Sequence, residues 1–141
     1  MATIVLLGSD PALLEGLAQT LAAGGHRALL ATSIAEAREL SASSRPLVAV
    51  IERQLAMTGS EVLGLPLARG GALLLYRTAA TTGGSLSAPM QRATLADLTL
   101  PLERQRLVAL IQSVEERARL TGRGRHPTPP ELRAIDASAQ K

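Results

Sequence analysis

Apolar residues follow two rhythms along this chain, and the two alternate. Thr3–Leu7 is a short unbroken apolar run closed by Gly8, the pattern of a strand covered on both faces. Asp10-Pro11 then opens a helix, with Asp10 as N-cap and Pro11 at the first helical position, where a missing N–H costs nothing. Leu13, Leu14, Leu17, Ala18 and Leu21 recur at helical spacing until Gly24-Gly25 end the element. Arg27–Ala31 reads as a second strand, and Ser33-Ile34-Ala35-Glu36 as a capping box that starts a helix running to about Ser41. Leu47–Ile51 is the third strand, β-branched and uncharged until Glu52. A loop over Arg53–Gly59 leads to a helical stretch, Ser60–Ala68, weakened by Gly64 and Pro66. Ala72–Tyr76 is the fourth strand, Thr78–Pro89 an irregular loop around Gly83-Gly84, and Leu95–Leu100 the fifth strand, closed by Pro101. In the last helix Leu107, Leu110, Ile111, Val114 and Ala118 form one apolar stripe.

This alternation predicts an α/β fold, a five-stranded parallel sheet with helices on both faces joined by right-handed crossovers. Residues 1–120 form the domain and 121–141 a linker and flexible C-terminal tail: Thr121–Pro130 has linker composition, and Glu131–Lys141 holds one or two frayed helical turns.

Composition narrows the chemistry. A length of 141 residues suits one domain, and 46% hydrophobic against 19% charged residues excludes a disordered chain. With no cysteine there is no disulfide scaffold, thiolate zinc site or cysteine nucleophile. Tyr76 is the sole aromatic, so the core is aliphatic and no stacking platform for single-stranded nucleic acid exists. Fourteen of the fifteen basic residues are arginine and the lone lysine is Lys141, which removes a catalytic core lysine. A net charge of +3 indicates nucleic-acid binding only if the charge clusters on one face, so nucleic acid is not an expected partner of this domain alone. Neither a basic leader nor a run of ~20 apolar residues is present, and a cytoplasmic protein without a membrane partner is expected. His26 and His126 read as solvated loop residues. No Gly-x-Ser-x-Gly elbow or dinucleotide fingerprint occurs. Arg117, Arg119, Arg123 and Arg125 make a basic end to the last helix; favourable placement at a helix C-terminus accounts for it, with phosphate or nucleic-acid contact as the alternative.

Several segments resemble the receiver domain of bacterial two-component response regulators. Leu6-Leu7-Gly8-Ser9-Asp10-Pro11 is similar to the family's first strand and turn, Arg45–Ile51 to its third strand, Met57–Leu63 to the segment after its phosphorylation loop, and Ala96–Leu102 to its fifth strand with its proline. The resemblance spans residues 2–120 and implies a flavodoxin-like, receiver-like (βα)5 fold. It also implies chemistry that the residues withhold. The family's metal-holding acidic pair corresponds to Gly8 and Ser9, its phosphoacceptor aspartate to Glu52, its lysine to Leu100, and its fourth-strand hydroxyl to Arg77 or Thr78.

Carboxylate phosphotransfer needs a hard cation held by acidic oxygens and a fixed positive donor, so the resemblance implies an atypical, pseudo-receiver type. The expected function is a phosphorylation-independent protein-interaction or dimerisation module in bacterial signal transduction or transcriptional regulation, not an enzyme and without cofactor or metal. Glu52 reads either as an ordinary exposed strand-end carboxylate or as a permanent anion standing in for the phosphorylated state. Adjacent strand ends suggest that it meets Arg77 in a salt bridge. By resemblance the contact surface includes the last helix, with Arg104, Arg106, Gln112 and Glu116, and pairs with a protein partner or a second copy; an output domain can follow the linker. The alternative is a small-molecule sensor binding at the carboxyl edge of the sheet.

Overall fold

The computed structural model describes residues 2–57, 61–78 and 86–124, the last four in backbone only. Strands β1 (Thr3–Leu7), β2 (Arg27–Ala31), β3 (Val48–Glu52), β4 (Ala72–Arg77) and β5 (Thr94–Thr99) form one parallel sheet in the order β2-β1-β3-β4-β5. The chain direction across the sheet reverses between β1 and β3, which places a crevice at their carboxyl ends.

Helices α1 (Pro11–Ala23) and α5 (Arg104–Gly124) cover one face, burying Leu14, Leu17, Leu21, Leu107, Ile111 and Val114. The other face lies under α2 (Ile34–Ser44), α3 (Arg53–Met57), a 3₁₀ turn (Glu61–Gly64) and α4 (Ala88–Ala93). Side chains alternate between these layers with the strand period of two. Ile4, Leu6, Val48, Val50, Leu74 and Tyr76 face α1 and α5, whereas Val5, Leu7, Ala49, Ile51, Leu73 and Leu75 face the opposite layer. That parity carries on past the strand ends and decides which groups meet there.

β1, β2 and the start of α1 match the sequence expectation residue for residue, because their boundaries are chemical: Asp10 Oδ1 accepts from the N–H groups of Ala12 at 3.1 Å and Leu13 at 3.3 Å. Ser33 Oγ likewise accepts from Glu36 N–H at 3.1 Å, while the Glu36 carboxylate takes the N–H of Thr32 at 2.9 Å. Other boundaries move. β3 runs directly into α3 at Arg53, where a loop was expected, and burying Ala56 rewards the helical turn. The expected Ser60–Ala68 helix contracts to the 3₁₀ turn, in keeping with Gly64 and Pro66. Pro89, expected in a loop, lies in the first turn of α4, a position that proline fits, behind a Ser87 N-cap. α5 continues to Gly124, so the first four residues read as linker are helical. His26 is not a solvated loop residue: it is buried, and its Nδ1 accepts the Ala2 N–H at 3.2 Å. Residues 79–85 of the expected loop, and 125–141 with His126 and the frayed turns, lie outside the described residues.

Candidate functional site

The carboxyl ends of β1, β3 and β4 bring Gly8, Ser9, Glu52 and Tyr76 together. Glu52 lies opposite Tyr76 in the β3–β4 register, and both carry the parity that faces α1 and α5. Glu52 is 9% exposed, so it is no ordinary surface carboxylate. Its Oε1 accepts two hydrogen bonds from Ser9, one from the backbone N–H at 2.9 Å and one from Oγ at 2.8 Å. Two donors on one oxygen give a partly buried carboxylate the charge-assisted bonding that makes such burial tolerable.

The expected Glu52–Arg77 salt bridge is not formed. Arg77 comes one residue after the partner of Glu52, so its side chain leaves β4 toward the other face of the sheet, where it is exposed. Adjacency of strand ends was the right premise and facing was the missing one. Thr78 is half-buried just past β4. Leu100 is fully buried in the layer of α1 and α5, in the same cluster as Tyr76, next to a cis Leu100–Pro101 peptide. Arg104, Arg106, Gln112 and Glu116 are all exposed on α5.

Tyr76 is the residue that sequence reasoning missed at this site. A Cβ built on Gly8 would run into the Tyr76 hydroxyl and come within 3.2 Å of its ring carbon Cζ. The phenol therefore occupies the space of a side chain at position 8. Burial first, then the negative charges of Glu52 and Asp10, hold its pKa well above the ordinary tyrosine value, so it stays protonated. Its hydroxyl is buried with no hydrogen-bond partner among the described residues. The signal available in the sequence was the only aromatic of the chain at the end of a strand and a glycine at the end of β1; their meeting depends on register.

A second missed pair lies on the opposite face. Arg53 Nε donates to Asp97 Oδ2 at 2.9 Å, with side-chain exposures of 14% and 37%, and so ties the end of β3 to the edge strand β5 across β4.

No protein-family model and no curated protein matches the chain. Solved structures do. NtrX from Brucella abortus, in complex with ADP, superposes with a TM-score of 0.66 at 12% identity over 86% of this chain, which spans 28% of that one. A CheY-like response regulator receiver domain from Methylobacillus flagellatus gives 0.67 at 16% identity, covering 81% of this chain and 98% of that one. This chain has the receiver fold. The pseudo-receiver domain of the CikA protein also superposes, with a TM-score of 0.55 at 16% identity over 81% of this chain and 97% of that one. Receiver folds imply a divalent cation at this edge, and the residues here do not fit one. Gly8 offers no side-chain oxygen and its side-chain space is filled by Tyr76, while Glu52 Oε1 is committed to Ser9 and Asp10 Oδ1 to the start of α1. Mg²⁺ is held through one or two carboxylates with waters completing about six oxygens, and among the described residues no group of three or more His, Asp or Glu is placed to hold a metal ion.

Proposed function

We propose that this chain is a phosphorylation-independent, non-catalytic module of receiver fold that acts through protein–protein contact in signal transduction. The observation that carries the reading is the Tyr76 phenol standing in the side-chain space of Gly8. It fills the place where metal-binding acidity would have to enter, and Ser9 holds the neighbouring Glu52 in one position. An anion fixed in this way is a constant input rather than a switched one. Partner contact falls to α5, whose Arg104, Arg106, Gln112 and Glu116 are exposed, and Leu102, just before the helix, is 78% exposed. Similar structures drawn from multidomain response regulators, one a receiver-modulated diguanylate cyclase from Pelobacter carbinolicus, support an output domain as one such partner.

Incubation with acetyl phosphate and Mg²⁺, followed by intact-mass measurement, tests the reading. The mass is expected to stay unchanged, in the wild type and in Glu52→Asp alike, because the acceptor is not the only part replaced. A stoichiometric phosphate adduct on Glu52 would overturn it.

A further inference from the structure

The two edges of the sheet differ in charge. At the amino edge, where the strands begin, four arginines come from four elements: Arg45 ends α2 in the left-handed region, Arg69 precedes β4, Arg92 ends α4, and Arg117 lies late on α5. Backbone contacts bring their segments together. Ala68 N–H donates to the Pro46 carbonyl at 2.8 Å, and Ala72 N–H to that of Leu47 at 2.9 Å, which sets the Arg69 turn beside Arg45. The turn is glycine by necessity: a Cβ at Gly71 would stand 2.6 Å from the Leu47 carbonyl oxygen, and one at Gly70 would stand 3.2 Å from Ala118 Cβ on α5. Arg92 and Arg117 then line one cleft with Gly71, Ala72 and Thr94.

All four side chains are exposed, and among the described residues Arg45, Arg69 and Arg92 form no ion pair. At the other edge Arg53 and Arg106 are paired, with Asp97 and Glu103, and the exposed Arg77 and Arg104 share that edge with Asp10 and Glu52. Helix-end placement accounts for Arg45 and Arg92, whose charges favour a helix C-terminus, but not for Arg69 in a turn or for Arg117, well before the end of α5. The acids of this end, Glu115 and Glu116, precede Arg117 on α5. A net charge of +3 hides this segregation; clustering on one face is the condition that sequence alone could not test.

We propose that the amino edge is a docking face for the phosphate backbone of double-stranded DNA, read without sequence preference. Guanidinium groups match phosphate geometry, and the chain's only aromatic is buried, so nothing on this face stacks on unpaired bases.

Fluorescence anisotropy of the full chain with a random-sequence duplex, titrated over a range of salt, tests this. Binding is expected at low salt with a steep salt dependence, and a single strand of equal length is expected to bind no more tightly. Arg69→Glu with Arg92→Glu removes two phosphate-binding guanidinium groups and should weaken binding by roughly tenfold or more, flattening the log–log salt slope by about 1.8, at ~0.9 per phosphate. Arg38→Glu with Arg77→Glu makes the same charge change away from this edge and should weaken binding far less; thermal melting confirms that both variants are folded. No duplex binding by the wild type, an equal loss in the two variants, or equally good competition by polyglutamate would overturn the proposal. The last result would assign the edge to an acidic protein.

Discussion

Replacing Gly8 by alanine puts a methyl group where the Tyr76 hydroxyl stands, and the ring has little room to retreat because Tyr76 is 1% exposed. Gly8→Ala is therefore expected to cost ~1–3 kcal/mol, the range for overpacking a tight core. Tyr76→Phe removes a hydroxyl that has no partner among the described residues, and stability should hold or rise by up to ~1 kcal/mol. In the Tyr76→Phe background Gly8→Ala should cost less, a coupling that urea unfolding of the four proteins measures. Equal costs in the two backgrounds would show that the hydroxyl is not the obstacle. Gly8 was legible as the loss of an acidic position, since one residue and its neighbours sufficed. Tyr76 was not, because its place depends on a register across β3 and β4, and the same gap produced the mistaken Glu52–Arg77 pair.

Between elements, the passage from β5 to α5 is held by Glu103. Its Oε1 accepts the Thr99 N–H at 2.7 Å and its Oε2 accepts from Arg106 Nη1 at 3.2 Å. The Thr99 bond, opposed by some desolvation and helped by Arg106, holds its carboxyl below the usual 4.5. A lowered pKa in the folded state means that the stabilisation is complete above the unfolded value and is lost as pH falls through the folded one. Glu103→Gln should therefore lower the melting temperature at neutral pH and leave it nearly unchanged well below pH 4.5, which flattens the acid limb of a plot of melting temperature against pH. A steeper acid limb would refute this. Elements with chemical punctuation were readable in advance: Asp10-Pro11, Ser33 and the apolar runs of β1 and β2. α3 and α4 were not, since a five- or six-residue helix carries too little periodicity to show, and each is held by the one side chain of its own that it buries, Ala56 in α3 and Met90 in α4.

Across the whole molecule, the start of α5 and the amino edge lie at opposite ends of the sheet, and they can be perturbed separately. Arg104→Glu with Arg106→Glu is expected to weaken self-association or partner binding in sedimentation-velocity or pull-down experiments. Stability should change by roughly 0.5 kcal/mol or less, as is usual for exposed positions, with the exposed Arg106–Glu103 pair adding at most ~1 kcal/mol. Unchanged association would remove α5 as the contact surface. The parallel sheet was legible because alternating strands and helices admit few topologies. The arginine edge was written in the sequence too, one residue per strand–helix unit at positions 45, 69, 92 and 117, but only the fold turns that recurrence into a surface.

Having a single aromatic side chain has one more outcome. With no tryptophan and no phenylalanine, all near-ultraviolet absorbance and circular dichroism from aromatic rings, and all intrinsic fluorescence, originate at Tyr76. That ring stands against Gly8 and opposite Glu52, so the optical spectrum of the unlabelled chain is a local reading of the carboxyl edge. The protein carries its own single-site chromophore where its chemistry departs most from the receiver pattern.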